Sequence, residues 1–274
     1  MPTLDAAACA ELMDMLTAIS ARAALAIRGA GGEGGVRIKA DGSPVTAADD
    51  AAEAAIREGL ARLAPALPII SEEQAERASP AVESASYFLV DPLDGTREFI
   101  AGRDEYTTNI ALVTHGAPIL GVIAAPALGL IWRGIVGRGA ERIALAGDGK
   151  SSRPSPIHTR PRPRRELLVL VSRSHLEART RAYLEQLPQA RTSPCGSAVK
   201  FCRIAEGSAD LYPRLAPTRD WDVAAGHAIL EAAGGKVVAP DGAPLSYGTA
   251  ELRIPAFLAW GDAMAAPALP APPM

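Results

Sequence analysis

Two short apolar segments run directly into carboxylates, and this restricts the possible folds more than any other feature. Leu67-Pro68-Ile69-Ile70-Ser71 leads into Glu72 and Glu73, and Tyr87-Phe88-Leu89-Val90 leads into Asp91-Pro92-Leu93-Asp94. Short apolar runs bounded by turn residues predict buried strands. Acids closing such strands put negative charge beside an apolar core, which costs free energy unless a cation compensates it. Strand ends at a crevice are also where α/β proteins build their sites.

The donors at this place are all oxygen. No HExxH is present, no two histidines lie three or four apart, and Cys9, Cys195 and Cys202 lack zinc spacing. Hard oxygen ligands select Mg2+, with Mn2+ as a substitute. Pro92 restricts the backbone and removes a donor, so Asp91 and Asp94 are expected to converge from one tight turn with the Leu93 carbonyl between them. Gly95 and Thr96 then open a helical turn, TREFI, whose N–H groups suit a phosphate.

Around this centre the periodicity predicts an amphipathic helix from Leu4 to about Arg28, stopped by the glycine cluster at 29–35. A second helix is expected over 47–63, with Thr46 as N-cap and Asp49 at the capping-box position. Strands are read at 106–113, 119–125 and 129–135, then at 166–172, 209–215, 235–240 and 256–261. Helices are read over a segment with Leu176, Tyr183 and Leu187, over 196–207 and over 220–235. The proline-rich stretch 154–165 excludes a helix interior or a central strand. A boundary near residue 150 is expected between an α+β half (1–150) and an α/β half (151–274), with the tail from Ala265 frayed.

Composition narrows the functional classes. A net charge of -3 argues against a nucleic-acid polymer as partner, and 4% aromatics argues against an aromatic cage. Of 28 cations only Lys39, Lys150, Lys200 and Lys236 are lysines, so arginine is a habit of this chain rather than a phosphate signal. Three cysteines without CxxC, an N-terminus with Asp5, Glu11 and Asp14 but no early cation, and no 20-residue apolar run point to a cytoplasmic protein. Peripheral association at the inner membrane and a homo-oligomeric state are left open.

IISEE, LVDPLDGTREF and the distant TRDWDVAAGHAILEAAGG, in this order across residues 70–235, resemble the inositol monophosphatase-like superfamily of Mg2+-dependent, lithium-sensitive phosphatases. The resemblance implies an αβαβα layered sandwich with two or three metal ions in a crevice. It implies that Glu72, Asp91, Asp94, Asp222 and the Leu93 carbonyl are metal ligands, and that Gly95 and Thr96 face the phosphate. It places Thr96 and Asp49, in SPVTAAD, beside the nucleophilic water near Glu72. It favours Asp222 over Asp220, while Glu73 is the weaker member of its pair.

VSRSH (171–175), GSAVKFCRIAEG (196–207) and LYPRLAPTRDWD (211–222) further resemble the 3'(2'),5'-bisphosphate nucleotidase branch. The implied substrate is adenosine 3',5'-bisphosphate, converted to AMP and phosphate, with its sulfated relative also accepted. Lys200 and Arg214, with Arg173 behind them, are the expected cations for the phosphate that is not cleaved. Ser172, Ser174, His175, Gly196 and Ser197 are expected to line the nucleoside region, and His227 to serve packing. The alternatives are an inositol- or sugar-phosphate phosphatase on the same metals, and a non-catalytic regulatory protein retaining the fold.

Overall fold

The computed structural model describes residues 6–31, 35–75, 84–147, 151–163, 166–174 and 176–263. The expected helix start at Leu4, part of the glycine cluster, Lys150, His175 and the C-terminal tail lie outside the described residues.

The chain opens with α1 (Ala6–Ala30) and the hairpin of β1 (Arg37–Ile38) and β2 (Pro44–Val45). Next come α2 (Ala47–Leu63), β3 (Ile69–Ser71) and one turn, α3 (Glu72–Ala75). β4 (Ser86–Asp94) and the turn α4 (Thr96–Ile100) lead to a meander: β5 (Thr107–Thr114), β6 (Ala117–Ala125), β7 (Leu130–Ile135), β8 (Gly139–Ala144) and β9 (Ser155–Ile157). There follow β10 (Leu167–Ser172), α5 (Ala178–Glu185), β11 (Ala190–Cys195), α6 (Val199–Ala205), β12 (Leu211–Arg214) and β13 (Thr218–Arg219). The last elements are α7 (Asp220–Ala232), β14 (Lys236–Val238), β15 (Arg253–Ile254) and β16 (Phe257–Trp260).

Two sheets carry the architecture. Seven strands run in the order β3-β4-β5-β6-β7-β8-β9, and five in the order β11-β10-β12-β16-β14. Strand alternation sorts their side chains into three cores. Phe88 and Val90 of β4, Ile110 and Leu112 of β5, and Val122 and Ala124 of β6 pack under α1 and α2. Their neighbours Leu89, Ala111 and Ile123 face α6 and α7, which meet Phe257 and Ala259 of the second sheet on the other side. Val169, Val171, Leu211 and Leu258 point outward to Tyr183 and Leu187, on and just after α5. The layers are therefore α1/α2, sheet, α6/α7, sheet, α5: the αβαβα sandwich.

Several local readings hold. α2 spans Ala47–Leu63, with Thr46 as N-cap and the Thr46–Asp49 capping box formed. The first sheet extends past residue 150, because β9 pairs with β8; with Pro156 inside it, β9 sits at the sheet edge. β11 was not anticipated. Its sequence ARTSPC has a single buried residue and carries Pro194, and it too is an edge strand, parallel to β10.

Two expectations about the acids need correction. Glu72 and Glu73 do not close the first strand; they open the turn α3 after it. Asp91 and Asp94 lie within β4, not on a tight turn. Asp91 pairs with Asn109 and Asp94 with Thr107, so three steps on β4 match two on β5 and the strand carries a bulge. The physical reason is Pro92, which has no N–H for the ladder, while its carbonyl accepts the Thr108 hydroxyl at 3.1 Å. In a regular strand residues three apart face opposite sides; the extra residue returns Asp94 to the side of Asp91, toward α7.

Candidate active site

Carboxylates from three elements meet at the bulge. Oxygens of Asp91, Asp94 and Asp222 lie within 4.8 Å of one another, Asp222 being in the first turn of α7. Glu72 stands beside them, because β3 runs parallel to β4 with Ser71 opposite Val90. Local bonds orient each group. Asp91 Oδ1 accepts the Leu93 N–H at 3.0 Å. Asp222 Oδ2 accepts the Arg219 N–H at 3.0 Å and the Thr218 hydroxyl.

This packing of like charge shows in the acidities. Burial, then Glu72, Asp94 and Asp222, push Asp91 well above the usual carboxylate range. Burial and Asp222 raise Asp94 to about 7 against the pull of Lys200 and Arg214. Burial raises Glu72 to about 7, although Lys39 opposes it. Closely packed carboxylates that resist ionisation together, Asp91 buried and the others half-buried, all with hard oxygen donors, fit a divalent cation. Asp220 does not join them. It is fully buried, its Oδ2 accepts the Gly248 N–H at 2.7 Å, and burial lifts it to about 6.

The hydroxyl and acid named with Glu72 also meet. Thr96 Oγ1 donates to Asp49 Oδ1 at 3.0 Å and lies 3.1 Å from the Leu93 carbonyl. The other Asp49 oxygen accepts the Thr46 N–H and hydroxyl at 2.8 and 2.7 Å. One carboxylate thus caps α2 and reaches across to the end of β4. Burial raises its pKa, and the bonds from Thr46 and Thr96 oppose that rise. Gly95, at φ 93°, supplies the left-handed step by which β4 turns into α4.

The carboxylates floor a cleft of about 330 Å3 whose far wall comes from the second sheet. Ser172, Gly196, Ser197, Lys200 and Arg214 line that wall as expected. Lys200 is buried, and its Nζ donates to the carbonyls of Cys195 (3.2 Å) and Ser197 (2.5 Å). Burial works against the charge of Arg214, but Tyr212, Asp222 and Asp94 outweigh it and raise its pKa. Ser174 and Arg173 do not line the cleft. The Ser174 hydroxyl donates to Glu98 at 2.6 Å, and Arg173 pairs with Glu105 at 2.6 Å. His227 is a packing residue: buried, with Nδ1 2.8 Å from the Tyr247 hydroxyl. The three cysteines are buried and unbridged.

Sequence reasoning passed over Lys39, whose Nζ joins Glu72 (2.8 Å) and Glu73 (2.7 Å). The signal was present: a lysine is rare in this arginine-rich chain. It also passed over Arg97 and Arg219 in the cleft lining, and over Glu98 and Glu105, which bind its walls.

A pH and metal dependence follows. Folded, Glu72 and Asp94 keep protons up to about 7; unfolded, they release them near 4, as ordinary carboxylic acids do. Between those values the folded state binds more protons, so stability of the metal-free protein falls as pH rises. A bound cation replaces the protons. Adding Mg2+ is therefore expected to raise the thermal midpoint more at pH 8 than at pH 5, by on the order of 5 °C. Calorimetry of chelator-treated protein at both pH values checks this, and equal shifts would contradict it.

Among the described residues no helix is long and apolar enough to cross a membrane. Residues 7–268 match the sequence pattern of the inositol monophosphatase family. The chain is 46% identical over 215 residues to the 3'(2'),5'-bisphosphate nucleotidase CysQ of Shigella flexneri, covering 76% of this chain and 81% of that protein. The crystal structure of CysQ from Bacteroides thetaiotaomicron superposes with a TM-score of 0.75 at 32% identity, covering 92% of this chain and 97% of that one. An inositol monophosphatase from Zymomonas mobilis superposes with a TM-score of 0.74 at 28% identity, covering 93% and 94% of the two chains. With sequence, fold and the clustered acids in agreement, this chain belongs to the inositol monophosphatase family.

Proposed function

We propose that this protein is a Mg2+-dependent phosphatase that removes the 3'-phosphate of adenosine 3',5'-bisphosphate, releasing AMP and phosphate. The observation that carries the reading is the group of Asp91, Asp94 and Asp222, within 4.8 Å of one another on the floor of a cleft whose far wall holds Lys200 and Arg214. The likeness to CysQ nucleotidases supports the choice of nucleotide.

In this reading Glu72, Asp91, Asp94, Asp222 and the Leu93 carbonyl hold the metal. Magnesium held there would supply positive charge for the phosphoryl oxygens and would lower the pKa of a water, making it a nucleophile for phosphorus. Thr96 donates its single hydroxyl hydrogen bond to the Asp49 carboxylate, the stronger of its two acceptors, and its oxygen lone pair is left to accept a hydrogen bond from that water. Thr46 fixes Asp49, so Thr96 is aligned before substrate arrives. Gly95 and Thr96 flank the phosphate to be cleaved. Ser172, Gly196 and Ser197 receive the remainder of the substrate. Arg214 and Lys200 face its second phosphate; an ammonium has three donors, and two of those on Lys200 go to carbonyls.

The test is initial-rate phosphate release at saturating Mg2+ from adenosine 3',5'-bisphosphate, inositol 1-phosphate and fructose 1,6-bisphosphate. The nucleotide is expected to exceed the others in kcat/KM by at least about 100-fold: inositol 1-phosphate lacks the second phosphate that Lys200 and Arg214 face, and fructose 1,6-bisphosphate carries its second phosphate on a sugar without the nucleoside. Preference for inositol or sugar phosphate would keep the metal chemistry and overturn the specificity.

A further inference from the structure

The far wall of the cleft is held from the metal-bearing side. Its lining includes Ser172, the last residue of β10, Gly196 and Ser197, between β11 and α6, and Lys200 of α6. Glu105, in the connection from α4 to β5, reaches both. Its Oε2 accepts the Gly196 N–H at 2.8 Å and the Nε and Nη2 of Arg173 at 3.2 and 2.6 Å. Arg173 Nη2 also donates to the Pro194 carbonyl at 3.1 Å, closing a ring of contacts around the end of β11. Burial disfavours the charge of Glu105, but Arg173 and the Gly196 N–H outweigh it and lower its pKa.

Packing reinforces these bonds. A Cβ on Gly196 would lie 2.6 Å from the Glu105 carbonyl oxygen and 2.9 Å from the Glu105 Cβ, so the two backbones are in close contact. The next residue, Ser197, sits at φ 44°, a left-handed conformation that a non-glycine residue keeps only when its surroundings impose it. On the far side of Ser197, Lys200 binds the carbonyls of Cys195 and Ser197. Glu98 adds a parallel tie to Ser174. Neither Glu105 nor Arg173 lines the cleft, so their effect on substrate runs through the segment they hold.

We propose that Glu105 is a positioning residue for substrate affinity: by fixing Gly196–Ser197 and Arg173, it sets the wall that receives the part of the substrate remote from the scissile phosphate. The inference rests on the functional reading above for the identity of that substrate.

Steady-state kinetics of the full chain with Mg2+ test it, using adenosine 3',5'-bisphosphate and p-nitrophenyl phosphate, an ester with neither nucleoside nor second phosphate. Glu105→Ala is expected to raise KM for the bisphosphate about 10-fold, with kcat within about twofold and KM for p-nitrophenyl phosphate unchanged. Glu105→Gln keeps an acceptor for the Gly196 N–H but not the charge facing Arg173, and should fall between; Arg173→Met should match it. Thermal midpoints are recorded for each, and if Glu105→Ala does not fold the other two carry the test. Unchanged KM for the bisphosphate, equal changes with both esters, or a loss confined to kcat would overturn the proposal. The unsubstituted chain reports separately on the functional reading. If it prefers another organic phosphate, that reading fails and the same KM comparison is run with the preferred ester. If it hydrolyses no phosphomonoester, both fail.

Discussion

Asp91→Asn is expected to abolish turnover, lowering kcat by at least about 1,000-fold, while leaving the chain folded and more stable without metal. The two halves of this result have one cause. Asp91 is 1% exposed and faces Glu72, Asp94, Asp222 and Asp49, every one an acid. Asparagine has the same shape, and its carbonyl oxygen can still accept the Leu93 N–H that Asp91 Oδ1 now accepts. It removes one negative charge from a buried group of like charges, so the metal-free protein at pH 8 should gain a few °C in thermal midpoint. The same missing charge can no longer neutralise a divalent ion, so the stabilisation by added Mg2+ should shrink. Phosphate release and thermal unfolding with and without Mg2+ measure all three. A variant retaining a tenth of the activity would remove Asp91 from the site; one that loses its fold would show the carboxylate to be structural.

Gly121→Ala should be the most damaging single methyl in the sandwich. Gly121 lies on β6, the central strand of the first sheet, and faces α7. A Cβ there would sit 2.3 Å from the Ala225 carbonyl oxygen and 3.0 Å from its Cα. The obstacle is main chain inside a helix, so no side-chain rotation relieves it. The helix or the strand must move, at a cost of about 3 kcal/mol, or a fall of roughly 10 °C in thermal midpoint. Ala225 lies one turn beyond Asp222, so the displaced helix also carries the Asp222 carboxylate with it, and the stabilisation expected from added Mg2+ should fall as well. Gly147→Ala is the control, since nothing lies within 4 Å of a Cβ there. A fall under about 2 °C for Gly121→Ala would show that α7 shifts without strain.

What was legible in the chain was local. The capping box of α2 follows from Thr46 and Asp49, one turn apart, and its bounds from the helical spacing after them. The meander strands β5, β6 and β7 follow from apolar runs between glycine and proline turns. The segment β11 was not legible, because an exposed edge strand has no buried face to impose a pattern and contains a proline. The bulge at Asp91–Asp94 was half legible. Pro92 announced an irregularity, but only the register against β5 shows that the irregularity turns both carboxylates to one side.

The site divides in the same way. Residue types and short motifs singled out Glu72, Asp91 and Asp94 as oxygen donors suited to a hard cation, since the chemistry of hard ligands does not depend on the path of the chain. Tertiary structure decided which distant partners complete each group. Thr96 meets Asp49 from 47 residues away. Lys39 bridges Glu72 and Glu73 from 33 and 34 residues away. Glu105 takes Arg173 and Gly196 from 68 and 91 residues away. It also withdrew Ser174 from the cleft lining and gave it to Glu98, and it paired Arg173 with Glu105. Capping, turns and strand alternation are set by neighbours within a few residues, so one sequence carries them. A contact across the sandwich depends on how two sheets and α7 settle against each other, and that is fixed by packing of the whole core rather than by any segment of it.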